Sequence, residues 1–369
     1  VFTLISIAAP VIETEEIDAV NGVLQSGMLA QGPKVAELEA AFAAYCGTKY
    51  AAAVNSGTAA LHAALFAAGV GPGDEVITTP FSFIATINPI LFLGAKPVMV
   101  DIDPATYNID VSKIETAITP KTKVIMPVHL YGQPADYAPL QELATRHGLL
   151  VVEDACQAIA ANYGDKKAGS LGDLGCFSLY ATKNIMCGEG GIVTTNNEDH
   201  LNAIKRFRQH GMSATYQYEH AGYNYRTTDL CAAIATEQLK KVDDFTAARQ
   251  ANADRLDAGL AGVEGLVLPT RGNGRTHVFH QYVVRVTKDF PITRQELVSQ
   301  LRERDIIAGV YYPQPLHVIP HIAAFGYKVG DFPEAEKAAE EVLALPVHPR
   351  VSEADVQTIV NAIKEIANV

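Results

Sequence analysis

The sequence predicts an α/β protein, a mostly parallel sheet covered by helices, with a smaller C-terminal α+β domain. Three observations lead there. Between Ala51 and about Asn196, short runs rich in Val, Ile and Leu recur with little polar alternation, the pattern of strands buried on both faces. Helical stretches separate those runs, as in a doubly wound sheet. A chain of 369 residues is also too long for one ordinary core, so two domains are expected.

The strands expected are residues 75–79, 97–101, 123–128, 149–153, 175–179 and 191–195, each β-rich and bounded by turn formers. The helices between them are 59–68, 83–93, 110–117 and 140–147. Ahead of the sheet, residues 14–45 read as two amphipathic helices around the loop 26–33, which is either a helix–helix turn or a flap over a site. Near Val242 the pattern changes. A helical stretch, 228–257, leads away from the sheet, followed by strands at 280–286 and 308–312 and helices at 293–303 and 353–366. The division falls at 241/242: residues 1–241 form an N-terminal arm and large α/β domain, and 242–369 a small α+β domain. No proline-rich or charged linker separates them, so the two should pack closely. There is no internal repeat and no low-complexity tract.

Composition narrows the function. Apolar residues make up 48%, enough for a buried core, and the formal net charge is 29 − 41 = −12. That balance argues against a nucleic-acid surface or an anionic-membrane binder. Cys46, Cys156, Cys176, Cys187 and Cys231 form no C-x-x-C pair, and their odd number fits free thiols in a reducing cytoplasm. The apolar start Val1–Ile7 lacks basic flanks and stops at Pro10, so it reads neither as a signal peptide nor as a membrane span. The missing initiator methionine is expected from processing or from a remnant of cloning.

One constellation carries chemistry. Lys183 sits in Phe177-Ser178-Leu179-Tyr180-Ala181-Thr182-Lys183-Asn184, ahead of Gly188-Glu189-Gly190-Gly191. Upstream, the apolar strand Val151-Val152-Glu153 ends on Asp154. Upstream again, Asn55-Ser56-Gly57-Thr58-Ala59 is a small-residue turn opening a helix. Singly, each has a plain reading: a solvated lysine, a turn acid, a helix cap. Together they are the three groups that hold pyridoxal phosphate. An amine forms a Schiff base, a carboxylate keeps the pyridine nitrogen protonated, and a helix start takes the phosphate. The 183 − 154 = 29 residues between acid and amine leave room for one more strand and a loop, so both can reach one sheet edge.

Other patterns carry less. Gly169-x-x-Gly172-x-x-Gly175 has the wrong spacing for a dinucleotide fingerprint and precedes a strand. His317 and His321 are spaced i,i+4, but Pro320 intervenes and no third metal ligand is apparent. His129 closes a strand, where a core histidine and a site histidine are equally expected. The charge run 336–341 reads as a solvated helix face.

Several ordered motifs resemble the DegT–StrS sugar aminotransferases, pyridoxal-phosphate enzymes of fold type I. They are Ser56-Gly57-Thr58-Ala59-Ala60-Leu61, Gly73-Asp74-Glu75-Val76-Ile77, Pro127-Val128-His129-Leu130-Tyr131-Gly132, Glu153-Asp154-Ala155-Cys156-Gln157-Ala158, Thr182-Lys183-Asn184, Gly222-Tyr223-Asn224-Tyr225-Arg226 and Pro313-Gln314-Pro315-Leu316-His317. The resemblance runs from about Ile7 to the C-terminus. It implies that Lys183 is the Schiff-base lysine, Asp154 the partner of the pyridine nitrogen and Gln157 the residue beside the ring's phenolic oxygen. Phe83 matches the aromatic that stacks on the ring, with Phe81 close enough to leave that choice open. Gly57, Thr58 and Ser178 match phosphate contacts. Asn224 matches a residue that reaches the phosphate from the neighbouring subunit, which implies a homodimer with shared active sites. Arg226, Tyr312 and His317 lie in segments that border the sugar-nucleotide or donor site in relatives.

Ala181, Glu189 and Thr227 depart from common family residues, but none is a reacting group. A related branch of sugar dehydratases carries histidine at the lysine position, so Lys183 argues for transamination. The implied activity is cytoplasmic transfer of an amino group from glutamate, with pyridoxamine phosphate as intermediate, to a nucleotide-linked keto-sugar at C3 or C4. The product would feed polysaccharide, glycoconjugate or antibiotic-sugar synthesis. The same motifs allow a keto-cyclitol as acceptor, and a non-catalytic cofactor-binding regulator is the reading from another class.

Overall fold

The computed structural model describes residues 4–368. Val1, Phe2 and Thr3 of the apolar start lie outside that range. Seven strands form the main sheet: β1 (Tyr50–Val54), β2 (Glu75–Thr78), β3 (Lys96–Met99), β4 (Thr122–Ile125), β5 (Leu150–Asp154), β6 (Leu174–Ser178) and β7 (Gly191–Thr195). Their spatial order is β1-β7-β6-β5-β4-β2-β3. Only β7 runs antiparallel to its neighbours; the other pairings, such as Val152 with Leu174, are parallel. All six parallel strands therefore end at one edge of the sheet, at Val54, Thr78, Met99, Ile125, Asp154 and Ser178.

The long helices are α1 (Thr14–Ser26), α2 (Pro33–Cys46), α3 (Gly57–Ala67), α4 (Tyr137–His147), α5 (Glu198–Phe207), α6 (Asp229–Lys240), α7 (Val242–Leu260), α8 (Arg294–Arg302), α9 (Pro333–Glu341) and α10 (Glu353–Ala367). Helix α3 is rich in alanine and buried on nearly all sides, from Gly57 to Leu65. Its small side chains let it lie close against the sheet, packing with Ala52, Val54, Val152 and Val193. The opposite face is covered by α2 and α6, through Leu38, Phe42, Ala232 and Leu239 against Phe177 and Ile192. Helix α4 covers Ile125 and Val151. Strands without polar alternation follow from this burial on both sides.

A three-stranded antiparallel sheet carries the second core: β8 (Leu266–Val267), β9 (Tyr282–Val286) and β10 (Val342–Leu345). Its cluster draws on α7, α8 and α10, with Leu256, Leu260, Leu301, Ile359 and Ile363. Two segments cross the 241/242 division. Ile5 pairs with Ile306 and joins the second core. Residues 316–339 pack instead on the first core, through Leu316, Ile322, Phe332 and Ala338.

Several elements differ from expectation. The helix expected at 83–93 is a 3-10 turn, Ile84–Thr86, and a short helix, Asn88–Phe92, that restarts at Pro89. Proline has no N–H for a continuous ladder. Residues 110–117 form two 3-10 turns. The stretch 228–257 is two helices with a break at Lys241. Residues 308–312 form no strand beyond a single bridge, Gly309 to Ala344, because β10 takes the place beside β9. The loop 26–33 is pinned: Asp229 accepts from Gly32 N at 2.8 Å and Val35 N at 3.0 Å, capping α2 from outside. It lines none of the cavity described below.

Candidate active site

A cavity of about 630 Å³ opens at the carboxyl edge of the main sheet. Ligands of open α/β sheets bind at that edge. Its wall contains Gly57, Thr58, Phe83, Asp154, Gln157, Ser178, Lys183 and Tyr312, eight of the eleven residues singled out in the sequence.

The anion end is the start of α3. Ser56 caps the helix, its Oγ accepting from Ala59 N at 3.1 Å. The N–H groups of Gly57 and Thr58 have no intrahelical acceptor and point out along the helix axis. A Cβ at Gly57 would lie 2.8 Å from Ser178 Cβ and 3.1 Å from Cys156 Sγ. Only glycine lets the helix start come this close to the strand ends. Ser178 Oγ accepts from Tyr180 N at 3.3 Å, which leaves its hydrogen free to donate.

Asp154 closes β5 and is 5% exposed. Its backbone is fixed from both neighbouring strand ends: Asp154 N donates to Pro127 O, and Ala155 N to Cys176 O, both at 2.9 Å. Thr86 Oγ1 donates to its Oδ2 at 2.8 Å, and Cys156 N to its Oδ1 at 3.3 Å. Among the described residues it has no ion-pair partner. Gln157 is oriented by the backbone: its Oε1 accepts from Tyr131 N at 2.9 Å, so its Nε2 faces Tyr312 Oη at 3.2 Å and the cavity. Phe83 lines the wall and is exposed, with its ring 6.1 Å from that of Tyr312. Phe81 is fully buried in the core, away from the wall.

Lys183 sits on the loop between β6 and β7. Bonds from Ala181 N to Gly188 O and from Cys187 N to Leu179 O pinch that loop. The side chain is half-buried, and Nζ makes no hydrogen bond or ion pair with another described residue. Crowding by protein pushes its basicity below the ordinary lysine range, while Asp154 pulls the other way. His280, also in the wall, is held far below the usual histidine range by burial, with Lys183 and Arg249 adding to the effect. It is therefore neutral. Its Nδ1 lies 3.3 Å from Asn184 Oδ1, which sets that nitrogen as the donor.

An open helix start, a lone amine of lowered basicity, a buried carboxylate and an aromatic face share one cavity. The set fits pyridoxal phosphate: an anion site, a Schiff-base amine, a ring-nitrogen partner and a stacking surface.

Three predicted residues are not in the wall. His317 is a correction: it is fully buried, with Nε2 2.9 Å from Glu336 Oε1, and packs against Phe332. The charge run that includes Glu336 is thus not wholly solvated. Asn224 and Arg226 lie on the segment beside the entrance to α3. Asn55 N donates to Tyr225 O at 2.9 Å and Asn55 Nδ2 to Asn224 O at 3.3 Å. The Asn224 residue is exposed. His129 is a core residue, its Nε2 2.9 Å from the fully buried Glu153. Ser82, Thr86, Arg249, His280 and Gln281 also reach the wall. Sequence reasoning missed them because they lie in turns, or come from the second core, and carry no motif spacing.

Residues 10–364 match the DegT/DnrJ/EryC1/StrS aminotransferase family. The chain is 44% identical to a "Pleiotropic regulatory protein" of Geobacillus stearothermophilus, over 96% of this chain and 95% of the relative. It is 41% identical to the GDP-perosamine synthase of Caulobacter vibrioides, over 98% of each. Its fold superposes on Spr1654 from Streptococcus pneumoniae, solved in a PLP-form, with a TM-score of 0.93, 29% identity and 99% of each chain covered.

Proposed function

This chain belongs to the DegT/DnrJ/EryC1/StrS aminotransferase family, and from that premise we propose that it moves an amino group from L-glutamate to a nucleotide-linked keto-sugar, at C3 or C4. The enzyme is a pyridoxal-phosphate-dependent aminotransferase. The observation that carries the reading is the single cavity shared by Lys183, Asp154 and the open start of α3.

Bound pyridoxal phosphate supplies a sink for the electron pair left when a proton leaves the amino-bearing carbon. In this reading the N–H groups of Gly57 and Thr58, with the Ser178 hydroxyl, hold the phosphate. The Asp154 carboxylate would lie by the ring nitrogen and keep its proton in place. The Gln157 Nε2 would donate toward the phenolic oxygen, and Phe83 would cover one face of the ring. Lys183 would hold the cofactor through its amine and, as a free amine, would accept and return the proton that moves. Its lowered basicity keeps a larger fraction of that amine unprotonated and able to accept. Gln281, Tyr311 and Tyr312 form the side of the cavity contributed from beyond the main sheet and would border the sugar.

The functional unit in this reading is a homodimer. Asn224 does not line its own chain's cavity, and its exposed position beside the anion end suits a contact with the neighbouring subunit's phosphate. Five free cysteines suit work in the cytoplasm, and no helix among the described residues is long and apolar enough to cross a membrane.

The test is a half-reaction screen. Glutamate should convert the yellow enzyme to its aminated, colourless form. A panel of nucleotide keto-sugars should include one that restores the colour with release of an amino-sugar. Restoration by keto-cyclitols alone would overturn the sugar reading. Failure of every amino donor to bleach the enzyme would overturn the aminotransferase mechanism proposed for this site.

A further inference from the structure

The strongest feature that the reading above does not use is a chain of hydroxyls behind Asp154. Ser82 Oγ lies 2.8 Å from Thr86 Oγ1, and Thr86 Oγ1 lies 2.8 Å from Asp154 Oδ2. All three side chains are buried: Ser82 is 3%, Thr86 1% and Asp154 5% exposed. A carboxylate can only accept, so the Thr86 proton must point at Asp154. The Thr86 oxygen is then free to accept, which makes Ser82 its donor. The chain therefore runs in one direction, from Ser82 through Thr86 to the carboxylate, and polarises along its length.

Position supports the same conclusion. Thr86 ends the 3-10 turn Ile84–Thr86, whose first flanking residue is Phe83. That turn also replaces the continuous helix expected from the sequence. The break before Asn88 frees the turn to present Phe83 to the cavity at one end and the Thr86 hydroxyl to Asp154 at the other. Among the described residues Asp154 has no ion-pair partner, and its backbone donor, Cys156 N, stands at the longer distance of 3.3 Å. Thr86 is its one hydroxyl donor among the described residues; the buried Cys156 thiol is the other side chain within its reach.

We infer that Thr86 is a positioning residue: its hydroxyl fixes Asp154 Oδ2 and sustains the carboxylate's charge toward the ring nitrogen of the cofactor. The inference rests on the reading of Asp154 as the ring-nitrogen partner. Thr86 touches no reacting atom in this account; it acts through Asp154.

The test compares Thr86→Val, which keeps the shape and deletes the hydroxyl, with Thr86→Ser, which keeps the hydroxyl. Each holoenzyme is loaded with cofactor labelled with nitrogen-15 in the ring, and the ring-nitrogen signal is followed against pH. Thr86→Val should lose the ring proton at a pH lower by about one unit or more, with kcat down roughly tenfold to a hundredfold, the worth of one hydrogen bond to a charged group. Thr86→Ser should stay near wild type in both. Should the valine protein not fold, Thr86→Ala gives the same comparison with serine. A wild-type nitrogen signal in the hydroxyl-deleted protein, or a serine protein as defective as valine, overturns the inference. Asp154→Asn separates the two levels. If it leaves the ring signal unchanged, the reading of Asp154 fails. If it moves the signal and Thr86→Val does not, only the role of Thr86 fails.

Discussion

Glu153 precedes Asp154 and is fully buried, yet it does not line the cavity that holds Asp154 and Lys183. Its carboxylate satisfies four donors. Oε1 accepts from Leu171 N at 2.9 Å and Gly172 N at 2.8 Å; Oε2 accepts from Gly169 N at 2.7 Å and lies 2.9 Å from His129 Nε2. Glu153→Gln changes one oxygen to an NH2 group and hardly changes the volume. Either orientation then sets a donor against two donors. Facing Leu171 and Gly172, the amide strands two backbone N–H groups. Facing Gly169 and His129, it strands one N–H and forces His129 to accept at Nε2. That moves the imidazole proton to Nδ1, where Ala135 N already donates at 3.1 Å. Two stranded buried donors at about 1–3 kcal/mol each give a loss of about 2–6 kcal/mol. That is a large share of the about 5–15 kcal/mol typical of a folded domain. Urea unfolding of the apoprotein, at one fixed protein concentration, reads it as a fall in midpoint with an unchanged slope. A loss below about 1 kcal/mol would refute this accounting of buried donors.

Three further outcomes are expected. Asp154→Asn should retain cofactor but slow both half-reactions by roughly a hundredfold or more in stopped-flow absorbance, since an uncompensated buried charge costs about 3–5 kcal/mol; rates within threefold of wild type would count against Asp154 as the ring partner. Burial lowers the pKa of His62 to about 4 from its unfolded value near 6.5, so the unfolded chain binds the extra proton first as pH falls. Stability should therefore decline from about pH 6.5 to about pH 4, and His62→Phe should flatten that slope in a melting-temperature series; an identical slope in the variant would remove His62 from the explanation. Mixing Lys183→Ala with Asn224→Asp protein should restore part of the activity through hybrid dimers in which one site carries both defects and the other neither. Hybrids verified by mass spectrometry, formed from a parent Asn224→Asp protein shown to be inactive, that recover nothing would confine Asn224 to its own chain.

Much of the main sheet was legible because burial on both faces leaves an unmistakable residue signature. Strands β4 and β6 lie within a few residues of the runs read from the sequence, and β7 coincides with its run. The two-sided burial of α3 was less visible, since alanine marks neither face. Strand β10 was hidden behind the acidic end of α9, although its Val-Leu-Ala-Leu is wholly buried. At the site, motif residues that end strands were readable, because strand ends of a parallel sheet converge. Thr86 and His280 were not: the first sits in a turn that resembled a helix, and the second is brought to Lys183 only by tertiary packing. His317 shows the opposite failure, since its motif match gave no hint that Glu336 would hold it inside the core.

In the proposed reading, Lys183 is the residue through which this chain holds its cofactor. Borohydride reduction of the holoenzyme makes that link permanent, and peptide mass spectrometry then finds the residue that carries the phosphopyridoxyl group. The group is expected on Lys183 and should be lost in Lys183→Ala. Stoichiometric labelling of any other lysine, or of none while the colour of the bound cofactor persists, would contradict it.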